Sequence, residues 1–117
     1  MKLIKKRPIR FYKEVSGKEP VLEWIKELSK EDRKIIGEDI KTAQGQFPFE
    51  MPVVKFLCKG LWEIRSDLNN RISRIIFILN NGEMVLLHGF IKKSQKTSPS
   101  DLSLAEKRTK KYKNNFK

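Results

Sequence analysis

The stretch from Leu61 to Lys96 constrains the fold most, because three runs of strand-forming residues alternate there with two turn signals. One turn signal is residues 67–70, Asp-Leu-Asn-Asn, and the other is residues 80–82, Asn-Asn-Gly. Asn and Gly tolerate the positive φ angles that tight hairpin turns require. We therefore predict three consecutive antiparallel strands. They cover about residues 61–66, 72–79 and 83–91.

Alternation along these strands predicts one apolar face and one mixed face, since successive side chains of a strand point to opposite sides. The apolar face should pack on helices and should carry Trp62, Ile64, Ile75, Phe77, Leu79, Val85, Leu87 and Ile91. The mixed face should carry Glu63, Arg65, Arg74 and His88 together with Ile76, Ile78, Met84, Leu86 and Phe90. The mixed face is too apolar to be fully solvated, so something should cover part of it.

The remaining segments predict a first strand and three helices. Residues 9–15 alternate in strand-favouring types, and residues 20–44 have the apolar spacing of a helical hairpin. Residues 46–60 contain two prolines and several large apolar residues, so they should lie over the edge of the core without regular structure. A third helix, with a thin apolar stripe, should begin near Pro99.

The predicted order of elements is β-α-α-β-β-β-α, in a single α+β domain spanning residues 1–117. We expect a mostly antiparallel sheet of about four strands, with an N-terminal helical hairpin, a C-terminal helix and the helices on one side. Because one cysteine forms no internal disulfide and no apolar run is long enough to span a bilayer, we expect a cytoplasmic protein with no membrane partner. The basic N-terminus lacks the apolar stretch of a signal peptide.

Positive charge is concentrated at the two ends of the chain. The chain has 26 Lys and Arg against 14 Asp and Glu, a formal net charge of +12. Nine of these basic residues fall from Lys92 onward, against two acidic residues, and five fall in the first ten positions with no acidic residue. Such clustering favours a polyanionic partner over simple solubility.

The sequence lacks the residues that several common catalytic mechanisms require. It has no Gly-rich phosphate loop, no paired cysteines and no His/Asp cluster with metal-ligand spacing, so we expect no metal and no cofactor. What remains is a set of Arg, Lys and one His on one face of the sheet and in the loop after it. Arginine and lysine in this arrangement suit a phosphodiester.

RNA cleavage without a metal is a reaction that such a set of residues supports. The ribose 2′-OH attacks the adjacent phosphate, so the substrate carries its own nucleophile. The protein must remove the 2′ proton, stabilise charge on the phosphorane and protonate the leaving 5′ oxygen. DNA lacks the 2′-OH and would be bound but not cut in this way.

Three segments resemble the RelE/ParE superfamily of toxins, in its HigB-like branch. They are LWEIR at 61–65, RISRIIFIL at 71–79 and VLLHGFIKKSQKT at 85–97, with Pro99 two residues later. The likeness covers most of residues 9–112 and implies a RelE-like fold. It also implies a type II toxin that cuts ribosome-bound mRNA. Its partner would be a cognate helix-turn-helix antitoxin, and it would reach operator DNA only through the antitoxin complex.

The resemblance assigns the catalytic role to Arg65, Arg74, Lys92 and Lys93, with Arg74 as the phosphate-stabilising arginine. Some relatives place a tyrosine early in the last helix, where this chain has Leu102-Ser103-Leu104. The general base is therefore open between His88 and Lys93. The basic residues that should track RNA phosphates are Lys96, Arg108, Lys110 and Lys111.

Other interpretations of the same residues remain open. Arg65 and Arg74 could simply form ion pairs with Glu63 or Asp67 on a solvated sheet, and His88 could be structural. The whole protein could be a noncatalytic nucleic-acid-binding module, or a gyrase inhibitor like ParE members of the superfamily.

Overall fold

The structure is a computed structural model that describes residues 6–92 and 96–114. Its strands are β1 (Ile9–Phe11), β2 (Val54–Cys58), β3 (Leu61–Leu68), β4 (Arg71–Asn80) and β5 (Glu83–Lys92). Its helices are α1 (Pro20–Lys26), α2 (Lys30–Gly45) and α3 (Pro99–Asn114). The α+β class, the helical hairpin and the C-terminal helix are confirmed. Among the described residues, no helix has both the length and the apolar character needed to cross a membrane.

The five strands form one sheet in the order β1-β5-β4-β3-β2. All neighbouring pairs are antiparallel except β1 and β5, which are parallel. β2 is the strand that the sequence analysis missed, since residues 46–60 were expected to be irregular. Pro48 and Pro52 both precede the strand, so every residue from Val54 to Cys58 keeps its N–H and is free to pair with β3.

Both predicted hairpin turns are present. Asn81 and Gly82 join β4 to β5 with φ angles of 51° and 80°, and Asn70, with φ 60°, lies in the turn between β3 and β4. Asn and Gly adopt these left-handed angles at low cost, so the turn residues fix the register of the three long strands. The strands continue up to the turns and are longer than predicted.

Helices cover both faces of the sheet, which corrects the prediction that they lie on one side. α1 and α2 pack on one face around Ile36, Ile64 and Phe77. α3 packs on the other face, where Ala105 and Tyr112 join a second apolar cluster. Because that second face is the predicted mixed face, α3 is the cover that its apolar residues required.

The predicted faces of β5 are wrong over its first half, and a β-bulge explains the error. Phe77 pairs with Leu86 while Ile76 pairs with His88, so β5 contains one extra residue at this point. Met84 and Leu86 therefore pack against the helical hairpin, and Val85 and Leu87 pack toward α3. His88 stays on the α3 side, as predicted, because the bulge reverses the alternation.

The segment between α2 and β2 lies over the edge of the core, as predicted. The ring centroid of Phe49 is 5.0 Å from that of Trp62 and 5.3 Å from that of Phe77. Arg7 holds this segment from the N-terminal side, with its guanidinium carbon 3.7 Å from the ring centroid of Phe47. Partial burial there lowers the pKa of the Arg7 side chain.

Candidate active site

Two arginines lie directly opposite each other on the face that α3 covers. Arg65 on β3 pairs with Arg74 on β4 in the antiparallel register. Glu63 lies on the same face two residues before Arg65, and its Oε1 atom is 3.6 Å from Nη1 of Arg74 and 3.9 Å from Nε of Arg65. One carboxylate is thus shared between two guanidinium groups, and the pairing with Glu63 left open by the sequence is present.

Burial differs sharply within this group. The side chains of Glu63 and Arg74 are each 1% exposed, while that of Arg65 is 22% exposed. Buried charges are stabilised by pairing and hydrogen bonding, and Thr97 supplies part of the hydrogen bonding, although Oε1 of Glu63 has no hydrogen-bond partner among the described residues. Its hydroxyl accepts from Nη1 of Arg74 at 3.1 Å and donates to Oε2 of Glu63 at 2.8 Å. We call Glu63, Arg65, Arg74 and Thr97 the arginine cluster.

His88 forms a second group with Asp101 on the same face. Nε2 of His88 lies 2.7 Å from Oδ1 of Asp101, and both side chains are 16% exposed. The imidazole stacks on Phe90, with ring centroids 4.9 Å apart. Ser98, the residue before α3, fixes the carboxylate, since its hydroxyl donates to Oδ2 of Asp101 at 2.6 Å and accepts from the Asp101 amide at 3.2 Å.

The register of β4 and β5 brings these two groups close together. Arg74 lies opposite Phe90, and Ile76 lies opposite His88. His88 is therefore a diagonal neighbour of Arg74 on the same face of the sheet. Guanidinium groups are able to bind anions, and an imidazole beside a carboxylate is able to accept or donate a proton.

The predicted lysines fall around the end of β5. Lys92 is the last residue of that strand, and its backbone pairs with Ile72. Lys96 is exposed in the connection to α3, one residue before Thr97. Lys93 lies outside the described residues. Within the described part of the chain, no group of three or more His, Cys, Asp and Glu could hold a metal ion.

The predicted RNA-contacting residues of α3 are in two different environments. Arg108 is partly buried, and its Nη1 donates to the carbonyl of Leu87 at 2.7 Å. It therefore satisfies a backbone acceptor at the bulge of β5. Lys110 and Lys111 are exposed on the helix surface.

Residues 23–110 match the family described as phage-derived protein Gp49-like (DUF891), a match over more than half of the chain. The chain belongs to the Gp49-like family. This family is related to the RelE-like toxins of toxin–antitoxin systems. Membership in the family therefore supports a toxin role and an antitoxin partner. No curated protein matches the sequence.

The matched part of this Gp49-like chain contains the whole arginine cluster and the His88–Asp101 pair. Its relation to RelE-like toxins confirms the toxin–antitoxin part of the resemblance. The HigB-like branch and the catalytic and RNA-binding assignments of individual residues stay predictions.

Two site residues of this Gp49-like protein were not singled out from the sequence. Asp101 follows Ser98 at the spacing of a helix cap, a signal that places it in the first turn of α3 but says nothing of His88. Thr97 was part of the quoted motif, but its role depends on the path from β5 to α3. Both contacts join residues far apart in sequence, so no local pattern predicts them.

Proposed function

We propose that this Gp49-like protein is the toxin of a type II toxin–antitoxin system and a metal-independent endoribonuclease that acts on ribosome-bound mRNA. The observation that carries the proposal is the pairing of Arg65 with Arg74 on the face that also holds His88 and Asp101. Two guanidinium groups on one side of a sheet offer the planar donors that recognise phosphate oxygens.

In the proposed reaction, the arginines stabilise negative charge as the 2′-OH attacks the adjacent phosphate. Arg65 makes the first phosphate contact, since its side chain is the more exposed of the two. Arg74 lies deeper in the protein and adds positive electrostatic potential at the proposed phosphate site, because the low dielectric around a buried charge strengthens its field. Its Nη1 donates to the Thr97 hydroxyl, a contact that holds the guanidinium in place.

His88 is the proposed general base. When its Nε2–H donates to Asp101, the lone pair on Nδ1 is left to accept the 2′ proton, and Asp101 stabilises the resulting imidazolium. The 5′ leaving oxygen then takes a proton from one of the lysines that follow β5, for which Lys92 and Lys93 are the candidates. Lys96, Arg108, Lys110 and Lys111 are proposed to guide the RNA backbone.

The enclosure of Arg74 favours a second candidate, a noncatalytic member of the toxin superfamily that binds nucleic acid or inhibits gyrase. A guanidinium that is 1% exposed and shared with Glu63 resembles a structural ion pair. The two candidates differ in what happens to mRNA when the protein is made.

Induced expression in bacteria, with and without the neighbouring reading frame, tests the proposal. We expect growth arrest with mRNA cleaved inside coding regions, and rescue when a helix-turn-helix protein is encoded next to the gene and expressed. Arg65→Ala should abolish arrest at unchanged protein level, while Arg33→Ala, an exposed arginine of α2, should not. Arrest with intact mRNA and DNA-damage signalling would replace the endonuclease with the gyrase inhibitor.

A further inference from the structure

We propose that Glu63 is a positioning residue, which holds Arg65 and Arg74 in one site, and that Thr97 fixes its orientation. The inference rests on the proposed function, because it names what prepares the phosphate-binding arginines. Like charges directly opposite on neighbouring strands repel each other. Glu63 removes this conflict, since one oxygen, Oε1, faces both guanidinium groups at 3.6 and 3.9 Å.

The location of Glu63 separates positioning from substrate contact. The residue is fully buried at 0% exposure, and a carboxylate at this place would repel a phosphate if it met one. Its charge instead cancels one of the two arginine charges. The arginine cluster keeps one positive charge in excess, which matches the single negative charge of a phosphodiester.

Thr97 connects this carboxylate to the segment that follows β5. Its hydroxyl uses both of its capacities, donating to Oε2 of Glu63 and accepting from Nη1 of Arg74. The carboxylate thus accepts a hydrogen bond at Oε2, while in the described part of the chain Oε1 has only the two ion-pair contacts. Because Thr97 follows Lys96 directly, the same two hydrogen bonds also limit where Lys96 lies relative to the arginines.

Two variants remove these contacts with little change of shape. Thr97→Val removes the hydroxyl, and Glu63→Gln removes the charge. Thr97→Ser keeps the hydroxyl and serves as the conservative rescue. Two variants serve as matched controls. Thr109→Val removes a hydroxyl bonded to the Ala105 carbonyl. Glu83→Gln removes the charge that pairs with Arg10 at the other end of β5.

The first readout is nuclear magnetic resonance of the full-length protein without RNA. Hydrogen exchange at the guanidinium of Arg74 should accelerate on the order of tenfold or more in Thr97→Val, because exchange reports the opening of contacts that protect a buried group. Thr97→Ser and both controls should leave it unchanged. Unchanged exchange in a folded Thr97→Val protein would overturn the inference.

The second readout is RNA cleavage by the same purified variants. Thr97→Val should lower kcat by about 100-fold, the effect of misplacing a catalytic group by about 1 Å, while KM changes by less than about threefold. Thr97→Ser should restore kcat. A purely structural role predicts wild-type kcat for the folded fraction of Thr97→Val, and that result would also overturn the inference.

The two readouts separate this inference from the proposed function. If the wild-type protein cleaves no RNA, the endonuclease proposal fails, and exchange at Arg74 still decides whether Glu63 and Thr97 position the arginine. If Glu63→Gln does not fold, Thr97→Val alone decides the question.

Discussion

The imidazole of His88 and the carboxylate of Asp101 meet at 2.7 Å between β5 and the first turn of α3. This contact joins the sheet to the helix that covers it. It also sets the orientation of the imidazole, because one ring nitrogen is committed to the carboxylate and the other is left for a different partner. The same pair can therefore serve the packing of α3 and the proposed proton transfer.

We predict that His88→Ala lowers the rate of RNA cleavage by about 100-fold to 10,000-fold, the range that general bases contribute. Asp101→Asn should lower it less, because the imidazole remains while its charged partner is lost. The measurement is single-turnover cleavage of ribosome-bound mRNA by purified protein. Wild-type rates for a folded His88→Ala protein would leave Lys93 as the candidate for the base.

Breaking the buried ion pair and replacing it should have opposite effects on stability. Arg74→Met leaves the Glu63 carboxylate buried beside one partly exposed arginine, so it should lower the free energy of unfolding by about 3–5 kcal/mol. The double variant Glu63→Leu with Arg74→Met should recover most of this loss, because buried ion pairs are often replaceable by apolar residues. Urea denaturation measures both effects.

The same double variant should remain inactive in RNA cleavage, since it lacks the positive potential that Arg74 adds beneath the proposed phosphate site. Recovered stability with no recovered cleavage would separate the function of Arg74 from its contribution to folding. Recovered cleavage would contradict a role for Arg74 in the reaction.

Gly89→Ala should destabilise the protein. A Cβ atom at this position would lie 2.5 Å from Cε3 of Trp24, so the indole of α1 would have to move off the sheet. Overpacking of this kind costs about 1–3 kcal/mol. Gly37→Ala is the control, because a Cβ there meets nothing within 4 Å and should raise stability by about 0.4–1 kcal/mol. Denaturation followed by tryptophan fluorescence compares the two.

The exposed lysines of α3 should contribute to RNA binding through charge alone. Replacing Lys110 and Lys111 with Gln should reduce the slope of log affinity against log salt by about 0.7 for each lost phosphate contact on single-stranded RNA. Arg108→Gln should instead lower thermal stability, since its guanidinium bonds the Leu87 carbonyl. An unchanged salt slope in the double lysine variant would place the RNA elsewhere.

Local signals account for the parts of the fold that the sequence predicts. The turn at Asn81-Gly82 and the helical hairpin are both predicted, and both depend on signals within a few residues. In the hairpin, Pro20 begins α1, and the hydroxyl of Ser29 caps α2 by accepting from the Asp32 amide at 3.2 Å.

The parts that sequence analysis missed depend on contacts between distant residues. The bulge in β5 changes which side of the sheet Met84 and Leu87 occupy. No residue type in this strand indicates where the bulge lies. The position of α3 on the second face depends on packing around Tyr112 and Ala105. The mixed face is expected to be partly covered, but the sequence does not show that the cover encloses Arg74, which contacts Thr97 just before α3.

The most direct test of the account is the chemistry of the RNA ends left after cleavage of ribosome-bound mRNA. Attack by the 2′-OH predicts fragments with a 2′,3′-cyclic phosphate and a 5′-hydroxyl, which are lost in Arg65→Ala. Intact mRNA, or fragments with 5′-phosphate ends, would contradict the central claim.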